Sequence, residues 1–296
     1  MSAKWTTIFD ASKCTGCMNC ALATMDEHVG NDFPGYSKGI SANGRKLLDI
    51  EGVERGSYPT VDVTYLLRTC VHCEEPPCAK VAPDAVSKRA DGIVIIDPDL
   101  AKGRREIVDA CPVGAVVWND EFDIPQQWTM DAHLLDAGWR SSRASQSCPT
   151  GALTTLKLSE AELERLRNEQ EVEDSVANLG LRSQVLCRNT ARARCVFVAG
   201  VIYVRQAGHY HCSHGIKVEL RSKHDNRSLG SSVTNAFGVF LIDGLSRSVE
   251  DCILSIDMFG RRLVETRVVT DEARFIGYLY VDGDEATWRR ADDDGA

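Results

Sequence analysis

The sequence predicts an α+β chain in two parts: a cysteine-rich part built from a duplicated strand–helix–strand unit, then an all-β antiparallel sandwich. Three observations predict it. Two groups of three cysteines stand at Cys14-x2-Cys17-x2-Cys20 and Cys70-x2-Cys73-x4-Cys78. The string Cys-Pro-x-Gly-Ala occurs at Cys111 and again at Cys148, and a recurring string is the trace of internal duplication. From Cys195 onward the chain changes to short alternating segments separated by Gly, Asn and Asp, the texture of an antiparallel sheet protein. A length of 296 residues leaves room for two cores.

Taken in order, Lys4 to Phe9 alternates as a strand that runs into the first cysteine loop. Residues 31–59 are rich in Gly, Pro, Asn and Tyr and read as a long excursion, with a small hairpin signal at Asn43-Gly44. Ile93 to Asp97 is a strand, Arg104 to Ala110 a short helix, and Ala115 to Trp118 a strand again. The helix must stop there, because Cys111 precedes a proline and is pushed towards extended backbone. The same unit recurs around Cys148, which sets the first domain at 1–157. Residues 158–194 read as a helix and linker arm. Its helix starts at Ser159, a capping box with Glu162 three residues on, and continues to about Glu171. The Arg-rich stretch from 172 is read as linker. Residues 195–286 carry seven expected strands, at 195–204, 216–222, 228–234, 237–242, 251–257, 262–269 and 274–282, a sandwich of immunoglobulin-like size. The acidic residues 287–296 read as a disordered tail.

The cysteine spacings carry the chemistry. Three thiols three residues apart in a short turn can each hold one iron of a [4Fe–4S] cubane, and Gly16 allows the positive φ that wrapping needs. The fourth iron takes a remote cysteine, which bacterial ferredoxins supply from a Cys-Pro dipeptide of the partner motif. This chain has two such dipeptides, so three plus one, twice, gives two clusters and a tandem bacterial-ferredoxin-like domain. The competing reading is zinc, but zinc sites pair two Cys-x-x-Cys arms or Cys with His, and this spacing fits iron–sulfur better. His72, inside the second motif, is expected to hydrogen-bond beside the cluster rather than ligate. Cys187, Cys195 and Cys252 have no ligand spacing and are expected as reduced core or linker thiols. His209-Tyr-His-Cys-Ser-His214 fits no standard closed metal site and reads as a polar loop.

Composition excludes other classes. A net charge of −9 argues against nucleic-acid binding, and no apolar run is long enough to span a membrane. With no secretory h-region at Met1, reduced thiols in a cytoplasm are expected. There is no nucleophile elbow, P-loop or dinucleotide fingerprint, so no catalytic residue is assigned.

With these motifs the chain resembles the tandem-ferredoxin electron-transfer subunits of molybdopterin (DMSO-reductase-family) oxidoreductases, whose full pattern has four motifs of four cysteines. Motifs one and four pair, and motifs two and three pair, each lending its last cysteine to the other. Laid on that frame, Thr24, Ala82, Ala101, Arg104, Ile107, Trp128, Asp131 and Ala144 stand where cysteines would. The resemblance therefore implies two complete sets, Cys14, Cys17, Cys20 with Cys148, and Cys70, Cys73, Cys78 with Cys111. The two lost sites would be filled by side chains such as Ile107, Arg104 and Trp128, since an empty site would be a costly cavity. The segments Cys20 to His28, Phe33-Pro-Gly-Tyr36, Glu54 to Pro59, Gly92 to Pro98, Ala132 to Asp136, Cys212 to Val218 and Asn235-Ala-Phe-Gly238 narrow the resemblance. They are similar to the small subunits of the pyrogallol–phloroglucinol transhydroxylase and anaerobic resorcinol-type hydroxylase group. One departure is visible: the transhydroxylase pattern keeps cysteines where Trp128, Asp131 and Ala144 stand here.

The resemblance implies a C-terminal immunoglobulin-like or transthyretin-like β-domain and a large catalytic partner carrying molybdenum bis-pterin guanine dinucleotide. It also implies the anaerobic hydroxylation or transhydroxylation of phenolic aromatics, with this chain carrying electrons to a soluble or unidentified acceptor. Two other readings stand beside it. One is a structural or redox-poising subunit without net electron flow; the other is the iron–sulfur subunit of a different enzyme of the same superfamily.

Overall fold

The computed structural model describes residues 3–169, 172–176, 179–248, 251–258, 261–283 and 285–289. It divides into two compact units, Met1–Gly52 with Tyr65–Thr190, and Val53–Thr64 with Ala191–Ala296.

The first unit contains β1 (Lys4–Asp10), α1 (Asn19–His28), the outer halves of a hairpin of β2 (Leu48–Ser57) and β3 (Thr60–Thr69), α2 (Pro77–Val81), β4 (Val86–Lys88) and β5 (Val94–Ile96). It continues through α3 (Glu106–Asp109), β6 (Val117–Asn119), β7 (Ile124–Gln126), α4 (Ala132–Asp136), α5 (Arg143–Gln146), β8 (Leu153–Leu158), α6 (Glu160–Asn168), β9 (Glu173–Asp174) and β10 (Val185–Arg188). The hairpin turns at Tyr58–Pro59 rather than at Asn43-Gly44, which lies in an isolated turn. β2 carries Gly52, Glu54, Arg55 and Gly56, residues with weak strand preference, and so left little trace in the sequence pattern; β3, with Val61, Val63 and Tyr65, does carry strand-forming residues.

The central sheet runs β8–β1–β10–β9. Its middle strand β1 is buried along almost its whole length, as a strand covered on both faces must be. It pairs antiparallel with β8, Phe9 opposite Leu153, and parallel with β10, Phe9 opposite Cys187. The stretch from 172 is therefore more than a linker, because β9 and β10 are built into this sheet. Apolar Val185 and Leu186 sit among polar neighbours, so the run was too short to read as a strand. The capping box of Ser159 and Glu162 opens α6 as expected; the expected end of that helix, at residues 170 and 171, lies outside the described residues.

The second unit contains β11 (Val196–Gln206), β12 (His209–Cys212), β13 (Lys217–Ser222), β14 (Ser228–Val233), β15 (Val239–Leu245), β16 (Asp251–Met258), β17 (Arg261–Val269), β18 (Arg274–Asp282) and β19 (Glu285–Arg289). One sheet is the antiparallel run β14–β13–β16–β17; the other runs β12–β11–β18–β19, with β15 also on β11. Phe197, Ile202, Leu220, Phe240, Leu254 and Leu279 fill one core. All seven expected strands are present. Two are added, and the expectation of a wholly antiparallel sandwich is corrected: β11 and β18 pair parallel, Ile202 opposite Leu279. β19 occupies the start of the segment expected as a tail, and 290–296 lie outside the described residues. The guanidinium of Arg55 is bound between Asp62 Oδ2 at 2.6 Å and Asp243 Oδ1 at 2.8 Å, tying the hairpin tip to β15.

Candidate metal centres

Cys14 and Cys17 lie in the loop between β1 and α1, Cys20 is the second residue of α1, and Cys148 sits in the turn between α5 and β8. Because β1 and β8 are neighbours in register, the loop leaving one faces the turn entering the other. Burial, joined by the close charges of Cys14, Cys148 and Cys17 and opposed by the Ala21 N–H, pushes the Cys20 thiol up to about 11. Cys14 is raised by burial and by Cys148 and Cys17. These four thiols thus form one group. Gly16, at φ +69°, gives the loop its turn, and a Cβ there would stand 2.4 Å from the Tyr65 ring.

The second group is Cys70 after β3, Cys73, Cys78 on α2, and Cys111 after α3. Burial raises Cys70 well above the ordinary thiol range, with Cys78, Cys111 and Cys73 adding to it. Cys78 is pushed to about 11 by burial, then by Cys111 and Cys73. All four line one pocket, walled otherwise by Val71, Val94, Val113, Val116 and prolines, with Gln127 as the other polar group. Raised thiol pKa values mean that a metal must displace the protons as it binds.

The duplicated Cys-Pro-x-Gly-Ala turns are built alike. Gly114 N–H donates to Cys111 O at 3.1 Å and Gly151 N–H to Cys148 O at 3.3 Å. A backbone N–H then reaches each sulfur, Ala115 to Cys111 Sγ at 3.3 Å and Leu153 to Cys148 Sγ at 3.4 Å. Burial alone would raise the Cys148 thiol, but the Leu153 N–H and the Thr150 hydroxyl and N–H outweigh it and hold it below the ordinary value. Such N–H···S bonds favour the charged sulfur that a cluster needs.

The residues fit a cluster better than a single ion. All twelve cysteines are reduced, and among the described residues no group of three or more His, Cys, Asp and Glu is disposed to hold one metal ion. A cubane spreads four irons and needs ligands around a cavity, whereas zinc gathers four ligands at about 2.3 Å. His209 to Cys212 form the exposed edge strand β12.

The positions without cysteine are packed as core. Thr24, Trp128, Asp131 and Ala144 are buried, and so are Ala82, Ala101 and Ile107. Arg104 departs from the expectation that it fills a vacated site: its guanidinium turns outward to Asp84 and Glu106. Asp131 accepts from Arg143 N–H at 2.8 Å and stands 3.5 Å from His28 Nε2. His72 is fully buried, which lowers its imidazole to about 3, with the Lys88 charge adding to the effect. Its Nδ1 accepts from Val94 N–H at 3.0 Å. Gln127 carried no signal in the sequence, since one glutamine between apolar segments has no motif.

Residues 61–157 match the model of the 4Fe-4S dicluster domain. The small subunit of pyrogallol hydroxytransferase from Pelobacter acidigallici is 34% identical over 92% of this chain and 97% of that one. The protein belongs to that family, the iron–sulfur electron-transfer subunits of molybdopterin oxidoreductases. Partial relatives agree. The arsenate respiratory reductase iron–sulfur subunit of a Shewanella species is 32% identical over 44% of this chain and 51% of that one. The thiosulfate reductase electron transfer subunit of Salmonella typhi is 29% identical over 58% and 85%. The family's small subunits are non-catalytic, carry [4Fe–4S] clusters and work beside a large molybdopterin subunit. Among the described residues no helix is long and apolar enough to cross a membrane.

Proposed function

We propose that this chain holds two [4Fe–4S] clusters, one on Cys14, Cys17, Cys20 and Cys148 and the other on Cys70, Cys73, Cys78 and Cys111. What supports this reading is that Cys111 lines one pocket with Cys70, Cys73 and Cys78, and that Ser147, beside Cys148, is bonded to Asn19, beside Cys20. When bound, a cluster accepts and returns one electron at a time. The chain's own residues supply thiolates, exclude water with Val and Pro walls, and direct N–H groups at the sulfurs.

In this reading the chain carries electrons between the molybdenum site of a large subunit and an acceptor, in a cytoplasmic enzyme acting anaerobically on phenolic aromatics. The proposed organisation is a ferredoxin-like part, to whose sheet β9 and β10 are added, followed by an immunoglobulin-like β-domain. The name of the Pelobacter relative, a hydroxytransferase, favours a second reading in which hydroxyl transfer is internal and no net electrons leave. Metal analysis of the anaerobically purified complex tests the site: about eight iron and eight sulfide per chain are expected for two cubanes. About twelve iron, or zinc in its place, overturns the assignment. Cluster reduction by a di- or trihydroxybenzene supports electron outflow; product formed without acceptor, over clusters that never change state, supports internal transfer.

A further inference from the structure

The cavity of the second thiol group has one polar wall that is not cysteine. Gln127 follows β7 directly and is 2% exposed. Its Nε2 donates to Val94 O at 2.6 Å, and its Oε1 accepts from the Cys70 thiol at 3.0 Å. Val94 is itself anchored, because its N–H donates to His72 Nδ1 at 3.0 Å. A chain of hydrogen bonds therefore runs from the imidazole through the β5 backbone and the glutamine amide to the sulfur of Cys70.

The bond to Cys70 depends on a proton that iron ligation removes. A thiolate has nothing to donate, so Oε1 would face a negative sulfur across 3.0 Å. The amide has a second resource. The terminal torsion of glutamine is broad and soft, and the nitrogen at the other end of the amide is a donor. A half-turn exchanges the two ends, so that an N–H faces the sulfur in place of Oε1 and the bond to Val94 O is given up. We propose that Gln127 is a positioning residue for electron transfer, donating to the Cys70 sulfur and holding the potential of that cluster up. This rests on the ligand reading above. A donor at a ligand sulfur stabilises the more negative, reduced cluster, and hydrogen bonds to sulfur are among the levers that set such potentials. In an apolar cavity one such bond acts with little screening.

The test is an EPR-monitored redox titration of the full complex with its large subunit, comparing wild type with Gln127→Leu and Gln127→Met. Both remove the donor; methionine keeps the length of the side chain. The expected result is a shift of the Cys70 cluster to more negative potential, about tenfold in the one-electron reduction equilibrium or about 59 mV, with the Cys14 cluster unmoved. A potential that stays put or rises in either loaded variant overturns the proposal. Loss of the cluster in both overturns it too, because Gln127 would then be needed for assembly. A wild-type complex with no reducible cluster on Cys70 would instead defeat the ligand assignment itself.

Discussion

The Ser147 hydroxyl donates to the backbone carbonyl of Asn19 at 3.3 Å, across 128 residues of chain. Each residue adjoins a proposed ligand, Cys148 on one side and Cys20 on the other. The bond closes the seam through which the second Cys-Pro turn of the duplicated part reaches the first motif. It makes the two halves interdependent, and the first prediction uses that.

Cys148→Ser should remove the cluster of Cys14, Cys17 and Cys20, while Cys111→Ser removes the cluster of Cys70, Cys73 and Cys78. Each variant should lose about half its iron, and EPR of the reduced complex should show a different cluster missing in each. The crossed result, with Cys148→Ser emptying the Cys70 site, would refute the pairing.

Gly16→Ala should weaken the first cluster selectively. The new Cβ meets the Tyr65 ring at 2.4 Å in a backbone conformation with φ +69°, and a non-glycine residue held there carries a penalty of about 1–2 kcal/mol. Adding Tyr65→Ala should restore part of the lost iron by removing the clash while leaving the backbone penalty. No gain in the double variant would count against the steric account.

Ile107→Ala and Trp128→Ala should destabilise the fold and spare the metal. Both side chains are fully buried at positions where the family's full pattern has cysteine. Truncation should cost about 2–5 kcal/mol for the isoleucine and about 3–5 for the tryptophan. Anaerobic unfolding curves measure the loss, and iron content should stay near that of wild type. Specific loss of one cluster would mean that these side chains still serve ligation.

Arg55→Met should loosen the second unit. The guanidinium is held by Asp62 and Asp243, and removing one partner of a buried ion pair costs about 3 kcal/mol. Hydrogen exchange in β11 and β15 should accelerate. Burial would raise the Asp243 carboxyl, but its bonds to Arg55 and the Gly244 N–H, with the charges of Arg55 and Arg192, hold it below its usual 3.8. A carboxyl with a depressed folded pKa contributes stability that is present above the ordinary value and lost as pH falls through the folded one. Exchange in these strands should therefore quicken below about pH 4 in wild type and much less in Arg55→Met. Equal acid sensitivity in both would rule the pair out as its source.

The cysteine triplets, the internal repeat and most of the strands were legible in the chain itself, because these live in spacing and period. Two cysteine triplets, two Cys-Pro-x-Gly-Ala turns and seven alternating segments are local patterns, readable without knowing what they touch. The capping box of α6 was legible for the same reason: Ser159 and Glu162 satisfy each other within one turn. Tertiary structure decided what depends on distant partners. β10 is four residues long and becomes a strand by pairing with β1 from the far end of the unit. The parallel match of β11 with β18 is set by how two sheets close over Phe197 and Phe240, not by either strand's pattern. Arg104 and Gln127 show the same limit at the level of side chains. A long polar side chain can turn to solvent or to a buried partner, and only the folded environment decides which. Arg104 found Asp84 at the surface, while Gln127 was held inside by a backbone carbonyl and a sulfur.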